Sequence, residues 1–281
     1  MIRRLISGLI PAALIGANGC APAPQPPVRC AVIGGVVASG MWVELAKRVE
    51  SDTGLKLKLV AAGEKSVLVE AFHKGEADFA TMHASDEAAN LVADRFATDM
   101  RPWMRNELII AGPADDPAGI RGMTNGAAAL RKIAEARAPY VNFNGSGAHA
   151  VANQIWNAAG IAPQGDWVLK DESRTGQEVL QFAQKHHAYV IVGRIPILTG
   201  KMEADSMQIM VHGDPAMRRP YVVLVADAKR LPCANVNGAQ TLADYLVSAK
   251  GQQFLKDFAA KQPDGVPLFY PIGADSGVGQ P

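Results

Sequence analysis

The stretch Tyr140-Val-Asn-Phe-Asn-Gly-Ser-Gly-Ala-His149 joins a short β-prone segment to a helix-patterned run from Ala150 to Ala159, through a loop holding Gly145 and Gly147. Glycines at a helix start let backbone N–H groups turn toward one point, and the helix end adds partial positive charge, so the pattern predicts a small-anion site. A second stretch has the same design. Cys30-Ala-Val-Ile-Gly-Gly-Val-Val-Ala-Ser-Gly40 runs from an apolar strand through a Gly-rich loop to a helical run beginning near Met41. If the two loops face each other from two α/β lobes, the protein closes on a small ligand at their helix ends.

Outward from these loops the chain alternates strand and helix. Period-two and apolar segments predict strands at Val28–Ile33, Leu55–Val60, Asp78–Met82 and Glu107–Gly112, with helices at Met41–Ser51, Val67–His73 and Asp86–Ala93 between them. The turn Pro113-Ala-Asp-Asp-Pro-Ala-Gly119 ends this series near Gly112. A second series follows, with helices over Gly126–Arg137, Ala148–Ala159 and Gln177–Lys185 and strands over Tyr140–Phe143, Trp167–Leu169, Ala188–Val192, Met207–Val211 and Tyr221–Ala226. Helices at Ala239–Ser248 and Gln252–Lys261 precede an irregular Pro/Gly-rich tail. Repeated βα units predict an α/β protein with a largely parallel sheet. No fixed repeat period is present, which excludes a solenoid.

At the N-terminus, Arg3 and Arg4 precede the apolar run Leu5–Ala17, and small residues lead to Cys20. This is the pattern of a secretory signal over residues 1–19, too short and wrongly flanked for a spanning helix. Its end at Cys20 suggests lipidation of that cysteine. Residues 20–28 then read as a lipid-anchor Cys and stiff Pro-rich linker. Removing 1–19 turns the net charge of +1 into −1, with 26 basic against 27 acidic residues, so nothing attracts nucleic acid or an acidic membrane. Cys30 and Cys233 then remain. In an oxidising compartment they are a possible disulfide, the alternative being two buried free thiols.

Several chemical motifs have a plainer reading beside the functional one. Ser146 and His149, three apart at a helix start, suit nucleophilic catalysis, but no G-x-S-x-G elbow surrounds them and helix capping accounts for Ser146. Gly145 to Ala150 reads as G-x-G-x-x-A, but mid-chain rather than opening a dinucleotide half-domain. The six histidines show no paired metal-ligand spacing, so neither metal nor cofactor is expected. His83 follows the strand Asp78–Met82 and is a candidate ligand contact. Arg194 ends an apolar strand, where a charge needs a partner, and is a candidate to face the cleft. Each Trp reads as core by default, Trp42 being the first exception to consider.

These residues resemble a known family, the type II periplasmic solute-binding proteins, and within it the tungstate-binding substrate proteins of ABC transporters. The resemblance rests on Gly75-Glu-Ala-Asp-Phe-Ala-Thr-Met-His83, on Glu107-Leu-Ile-Ile-Ala-Gly-Pro-Ala-Asp-Asp-Pro-Ala-Gly-Ile-Arg-Gly122 and on Ala129-Leu-Arg-Lys-Ile-Ala-Glu135. It continues through Ser146-Gly-Ala-His149, Trp156-Asn-Ala-Ala-Gly-Ile161, Gly165-Asp-Trp167 and Gly213-Asp-Pro215. It implies an α/β, two-lobe type II periplasmic binding protein fold with the ligand cleft between lobes joined by two crossover strands. Lobe one would comprise residues 29–110 and 221–272 and lobe two residues 111–220, with 273–281 a flexible tail.

The resemblance implies an extracytoplasmic, periplasmic binding component, a monomer without enzymatic activity. It would capture a small oxyanion such as tungstate or molybdate and deliver it to an ABC permease in the inner membrane. The expected ligand-binding residues are Gly34, Gly35, Ser39, His83, Asn144, Ser146, Gly147 and Arg194. Two features depart from the family pattern. Val32-Ile-Gly-Gly35 stands where relatives carry a Thr/Ser-rich loop, and no Arg precedes Ser146 where relatives have one. These departures keep open the same fold binding a different small metabolite or acting as a sensor, beside a Ser-dependent hydrolase using Ser146 and His149.

Overall fold

The computed structural model describes residues 26–173, 175–259 and 266–273. The expected signal segment, Cys20 and most of the Pro-rich stretch lie outside them. The apolar segment Val28–Ile33 forms β1, and Gly34–Ala38 turns it at once into a short helix, α1. Gly40 then takes φ 77°, a left-handed conformation that breaks the path before α2, Met41–Thr53. Next come β2 (Leu57–Gly63), α3 (Lys65–His73), β3 (Phe79–His83), α4 (Asp86–Ala93) and the long β4 (Ala97–Pro113). The chain continues through α5 (Gly126–Glu135), β5 (Tyr140–Asn142), α6 (Ser146–Ala159), β6 (Val168–Lys170), α7 (Val179–Lys185), β7 (Tyr189–Gly193), α8 (Arg194–Leu198) and β8 (Met207–Val211). It returns along β9 (Arg218–Ala226) and closes with α9 (Val236–Val247), α10 (Ala249–Ala259) and β10 (Phe269–Pro271).

The strands order as β2-β1-β3-β9-β4-β7-β5-β6, with β8 and β10 added to β4. Parallel pairing is confined to the two ends: β1 with β2 and β3, and β5 with β6 and β7. The middle is antiparallel, which corrects the largely parallel sheet expected from βα units. The cause is the length of β4. Its 17 residues extend about 56 Å, too far for one lobe, so Ala97–Glu107 pairs with β9 and Leu108–Pro113 pairs with β7 and β8.

The interior divides in the same way. One core joins Leu45, Leu68, Phe72, Phe79, Trp103 and Leu224, all fully buried, with α9 and α10 packed over it. The second lobe has a core on each face of its sheet, one around Leu108, Tyr140, Trp156 and Tyr189 and the other around Ile109, Val141, Leu180 and Val190. Trp42 is 4% exposed and belongs to the first core, so it packs rather than binds.

Asp78 fastens the first lobe at the start of β3. Its fully buried carboxylate accepts from the Arg29 N–H at 2.8 Å, from Arg29 Nη2 at 2.6 Å and from the Asn235 N–H at 2.9 Å, tying β1, β3 and the start of α9 together. Beside this knot, Cys30 is buried and Cys233 exposed, and both are free thiols. The possible Cys30–Cys233 disulfide is therefore not formed, and of the alternative of two buried free thiols only Cys30 is buried. Cys30 lies in β1 with its Sγ 3.4 Å from the Val28 carbonyl, and burial pushes its thiol pKa up. Replacing Asp78 with Ala leaves two backbone donors and a part-buried guanidinium without their acceptor. The expected cost is about 2–4 kcal/mol in urea unfolding, and a loss below about 1 kcal/mol would refute the knot's structural role.

Candidate functional site

A cavity of about 290 Å³ lies between the lobes. The first lobe contributes Gly34 and Gly35 at the start of α1, and Gly63, Glu64 and Lys65 at the β2–α3 junction. The second contributes Gly145, Gly147 and Ala148 at the start of α6, with Phe143 before them. The two Gly-rich loops thus share one cavity. Its remaining walls include Gly193, Ile195 and Pro196 at the start of α8, and Thr199 and Lys201 beyond it.

The floor comes from the strands. His83 ends β3, Asn106 lies on β4, and Arg219 and Tyr221 lie on β9. In the β4–β9 ladder Asn106 faces Arg219 and Glu107 faces Arg218. Successive strand residues point to opposite faces, so Asn106 and Arg219 turn to the cavity while Glu107 and Arg218 turn away. Arg219 Nε donates to Asn106 Oδ1 at 3.1 Å, which aims the rest of the guanidinium across the cleft.

Its Nη1 fills the space that a Cβ on Gly147 would occupy, and a methyl group on Gly193 would lie 4.0 Å from Nη2. Gly147 is required for this approach. No carboxylate among the described residues lies within ion-pair distance of Arg219. Burial pushes its guanidinium pKa below the usual value, while Tyr221 and Glu64 pull the other way.

The structure separates the expected site residues. Gly34, Gly35, Gly147 and His83 line the cavity, and Ser146 begins α6 at its edge. Ser39, Asn144 and Arg194 do not line it. Ser39 Oγ donates to the Val36 carbonyl at 3.0 Å and accepts from the Met41 N–H, so it caps the α1–α2 junction. Asn144 is exposed to solvent ahead of α6. Arg194 opens α8 instead of ending a strand, and its buried side chain runs toward the C-terminal segment. There Nη1 donates to the Pro267 carbonyl at 3.1 Å and stands 4.0 Å from Glu107 Oε2. The buried charge has its partner, and that partner is protein. His149 is likewise absent from the cavity wall, so a Ser146–His149 catalytic pair gains no support.

His83 packs its ring on Tyr221 with centroids 4.3 Å apart, and its Nε2 is buried without a partner among the described residues. Burial first, then the charges of Arg219 and Lys65, holds the imidazole well below its usual pKa near 6.5. It is therefore neutral at neutral pH. Sequence reasoning missed Arg219, Asn106, Glu64, Lys65 and Lys201. Arg218-Arg219-Pro220 lies ahead of the expected strand Tyr221–Ala226, and only the pairing with β4 extends that strand to include it and decides which arginine faces the cleft.

A two-lobed α/β molecule with glycine-opened helix ends on both walls of one cleft has the architecture of a solute-binding protein. A family model described as a PBP superfamily domain matches residues 23–250. The tungstate-binding protein TupA of Peptoclostridium acidaminophilum is 30% identical over 240 residues, covering 84% of this chain and 82% of the relative. The solved structure of the tungstate-binding protein TupA from Desulfovibrio alaskensis G20 superposes with TM-score 0.70 at 25% identity, over 88% of this chain and 99% of that one. A structure titled as the tungstate ABC transporter from Geobacter sulfurreducens shares the fold, with TM-score 0.65 at 24% identity over 82% of this chain and 98% of that one. The chain belongs to the PBP superfamily and, within it, to the family of TupA, with the type II periplasmic binding protein fold.

The neutral His83 makes stability depend on pH. Below about 6.5 the unfolded chain protonates this imidazole while the folded chain refuses the proton, so stability falls as pH drops, by up to about 1.4 kcal/mol per unit. His83→Gln is expected to flatten that slope in urea melts between about pH 6.5 and 5. An unchanged slope would refute the assignment.

Proposed function

We propose that this chain is the extracytoplasmic solute-binding component of an ABC transporter, and that it captures a small tetrahedral oxyanion, tungstate or molybdate, between its lobes for delivery to a membrane permease. The observation that carries the reading is Arg219, a part-buried cation aimed into the cleft with no carboxylate within ion-pair distance among the described residues. A part-buried charge without an ion-pair partner is costly, and a bound anion supplies the counterion. The names of the relatives TupA and of the tungstate ABC transporter support the same ligand class.

In this reading residues 29–110 with 221–272 form one lobe and residues 111–220 the other, and β4 and β9 act as the hinge on which they close. Closure is binding without chemistry, and the protein acts as a monomer rather than as an enzyme. Residues 1–19 direct export and Cys20 carries a lipid anchor, with the Pro-rich segment as spacer. Gly34, Gly35 and Gly147 supply backbone donors, Arg219 the charge, and His83 and Tyr221 the floor against which the anion rests.

The test is thermal unfolding of the protein with tungstate, molybdate, sulfate, phosphate and a metabolite mixture. A ligand of the folded state adds RT ln(1 + [L]/Kd), about 4 kcal/mol at a thousandfold excess over Kd. Tungstate or molybdate is expected to raise the melting temperature, and Arg219→Gln to weaken binding by about tenfold or more. A wild-type protein that no oxyanion stabilises would refute the proposal.

A further inference from the structure

We propose that Lys201 is a second ligand cation, and that together with Arg219 it makes the cleft selective for doubly charged over singly charged oxyanions of the same shape. The inference rests on the anion-binding reading above and names the charge class of its ligand.

Lys201 belongs to the second lobe, in the segment that follows α8, and its backbone N–H donates to the Pro196 carbonyl at 2.8 Å. That bond fixes the base of the side chain at the cavity wall. Its ammonium nevertheless reaches the first lobe, where a methyl group on Gly34 would lie 3.5 Å from Nζ. Arg219 has the reciprocal placement, since it springs from β9 and its guanidinium lies against Gly147 of the second lobe. Each cation approaches the Gly-rich loop of the opposite wall, so positive charge enters the cavity from two sides.

Neither cation forms an ion pair among the described residues, although Lys201 is exposed to solvent and Glu64 lends Arg219 some negative potential. Lys201, like Arg219, makes no ion pair or side-chain hydrogen bond to a carboxylate among the described residues. Glu64 lines the same cavity and is not bonded to it. Lys65, the neighbouring cation, is already held by Glu87 at 3.0 Å. Two cations without an ion-pair partner, offset in part by Glu64, favour a dianion over a monoanion, which gains less from the second charge.

The probes are tungstate and perrhenate, tetrahedral oxyanions of nearly the same size that differ by one unit of charge, titrated calorimetrically into the full chain. The wild type is expected to bind tungstate more tightly by about a hundredfold, each charge-assisted contact contributing about tenfold or more. Lys201→Gln is expected to weaken tungstate by about tenfold or more and perrhenate by less than about threefold, with Lys201→Arg restoring most of the difference. Glu64→Gln, which removes a repulsive carboxylate, is expected to strengthen both. Equal binding of the two anions by the wild type would overturn this proposal and leave the anion-binding reading standing, and it needs no variant to fold. A Glu64→Gln loss matching that of Lys201→Gln would overturn it too, by making Lys201 a latch to Glu64 rather than a ligand contact. A wild type that binds neither anion would sink both readings.

Discussion

The antiparallel pairing of β4 with β9, from Ala97 opposite Ala226 to Glu107 opposite Arg218, carries the chain out of the first lobe and back into it. Both sheets hang on these two strands, and both sides of the ladder are in use where the lobes meet. On one side Asn106 holds Arg219 toward the cavity. On the other, Glu107 lies among Arg194, Tyr270 and the Gly213 N–H, while the Arg218 guanidinium stacks 3.6 Å over the Tyr270 ring. Burial and the Glu107 charge push the Tyr270 hydroxyl pKa up to about 12, so it remains a hydrogen-bond donor to that carboxylate. A motion of one lobe on the other must work through this ladder, and the ladder also carries the cation of the cleft. In the proposed function, ligand contact and hinge are thereby joined at adjacent residues.

The contrast between Arg194 and Arg219 shows what distinguishes a structural cation from a binding one. Arg194 is buried and Arg219 part-buried on the elements that border the cleft. Arg194 is surrounded by carbonyl oxygens of the C-terminal segment and by Glu107, so its charge is answered within the fold. Arg219 has one neutral acceptor, Asn106, and faces glycines. A charge withdrawn from water needs a partner, and among the described residues Arg194 has an anionic one within 4.0 Å while Arg219 has none.

Much of the fold was legible because its signals are local. Val28–Ile33 and Phe79–His83 read as strands from their own apolar runs, and α6 from its glycine-flanked amphipathic run. What escaped depended on partners distant in sequence. Arg218-Arg219-Pro220 becomes strand because Arg105 and Asn106 lie opposite, and Phe269–Pro271 becomes β10 because Met104–Asn106 offers a free edge. Ser39 and Asn144 are polar residues close to glycine loops, but the direction in which a side chain leaves such a loop is set by the helix that follows, and theirs leave elsewhere. Arg219 carried no local signal. Its role follows from a strand register, which no single stretch of sequence displays.

The glycines show why the legible half of the site was right in place yet incomplete in reason. Gly145 and Gly147 were read as residues that free N–H groups to turn inward. In the fold they also clear volume, because a Cβ on Gly145 would overlap the Phe143 ring and one on Gly147 would overlap Arg219. The second function is the stricter, since most residues can start a helix but only glycine admits a guanidinium against its Cα. On the first lobe Gly34 and Gly35 bring no hydroxyls, so that wall offers backbone N–H groups where a Thr/Ser-rich loop would add side-chain donors. Neutral donors contribute roughly half as much per bond as charged ones. With the Tyr221 hydroxyl in place of a Thr/Ser-rich loop beside Gly35, cations reaching across the cleft carry more of the site's affinity, and glycine at both walls is what leaves them room.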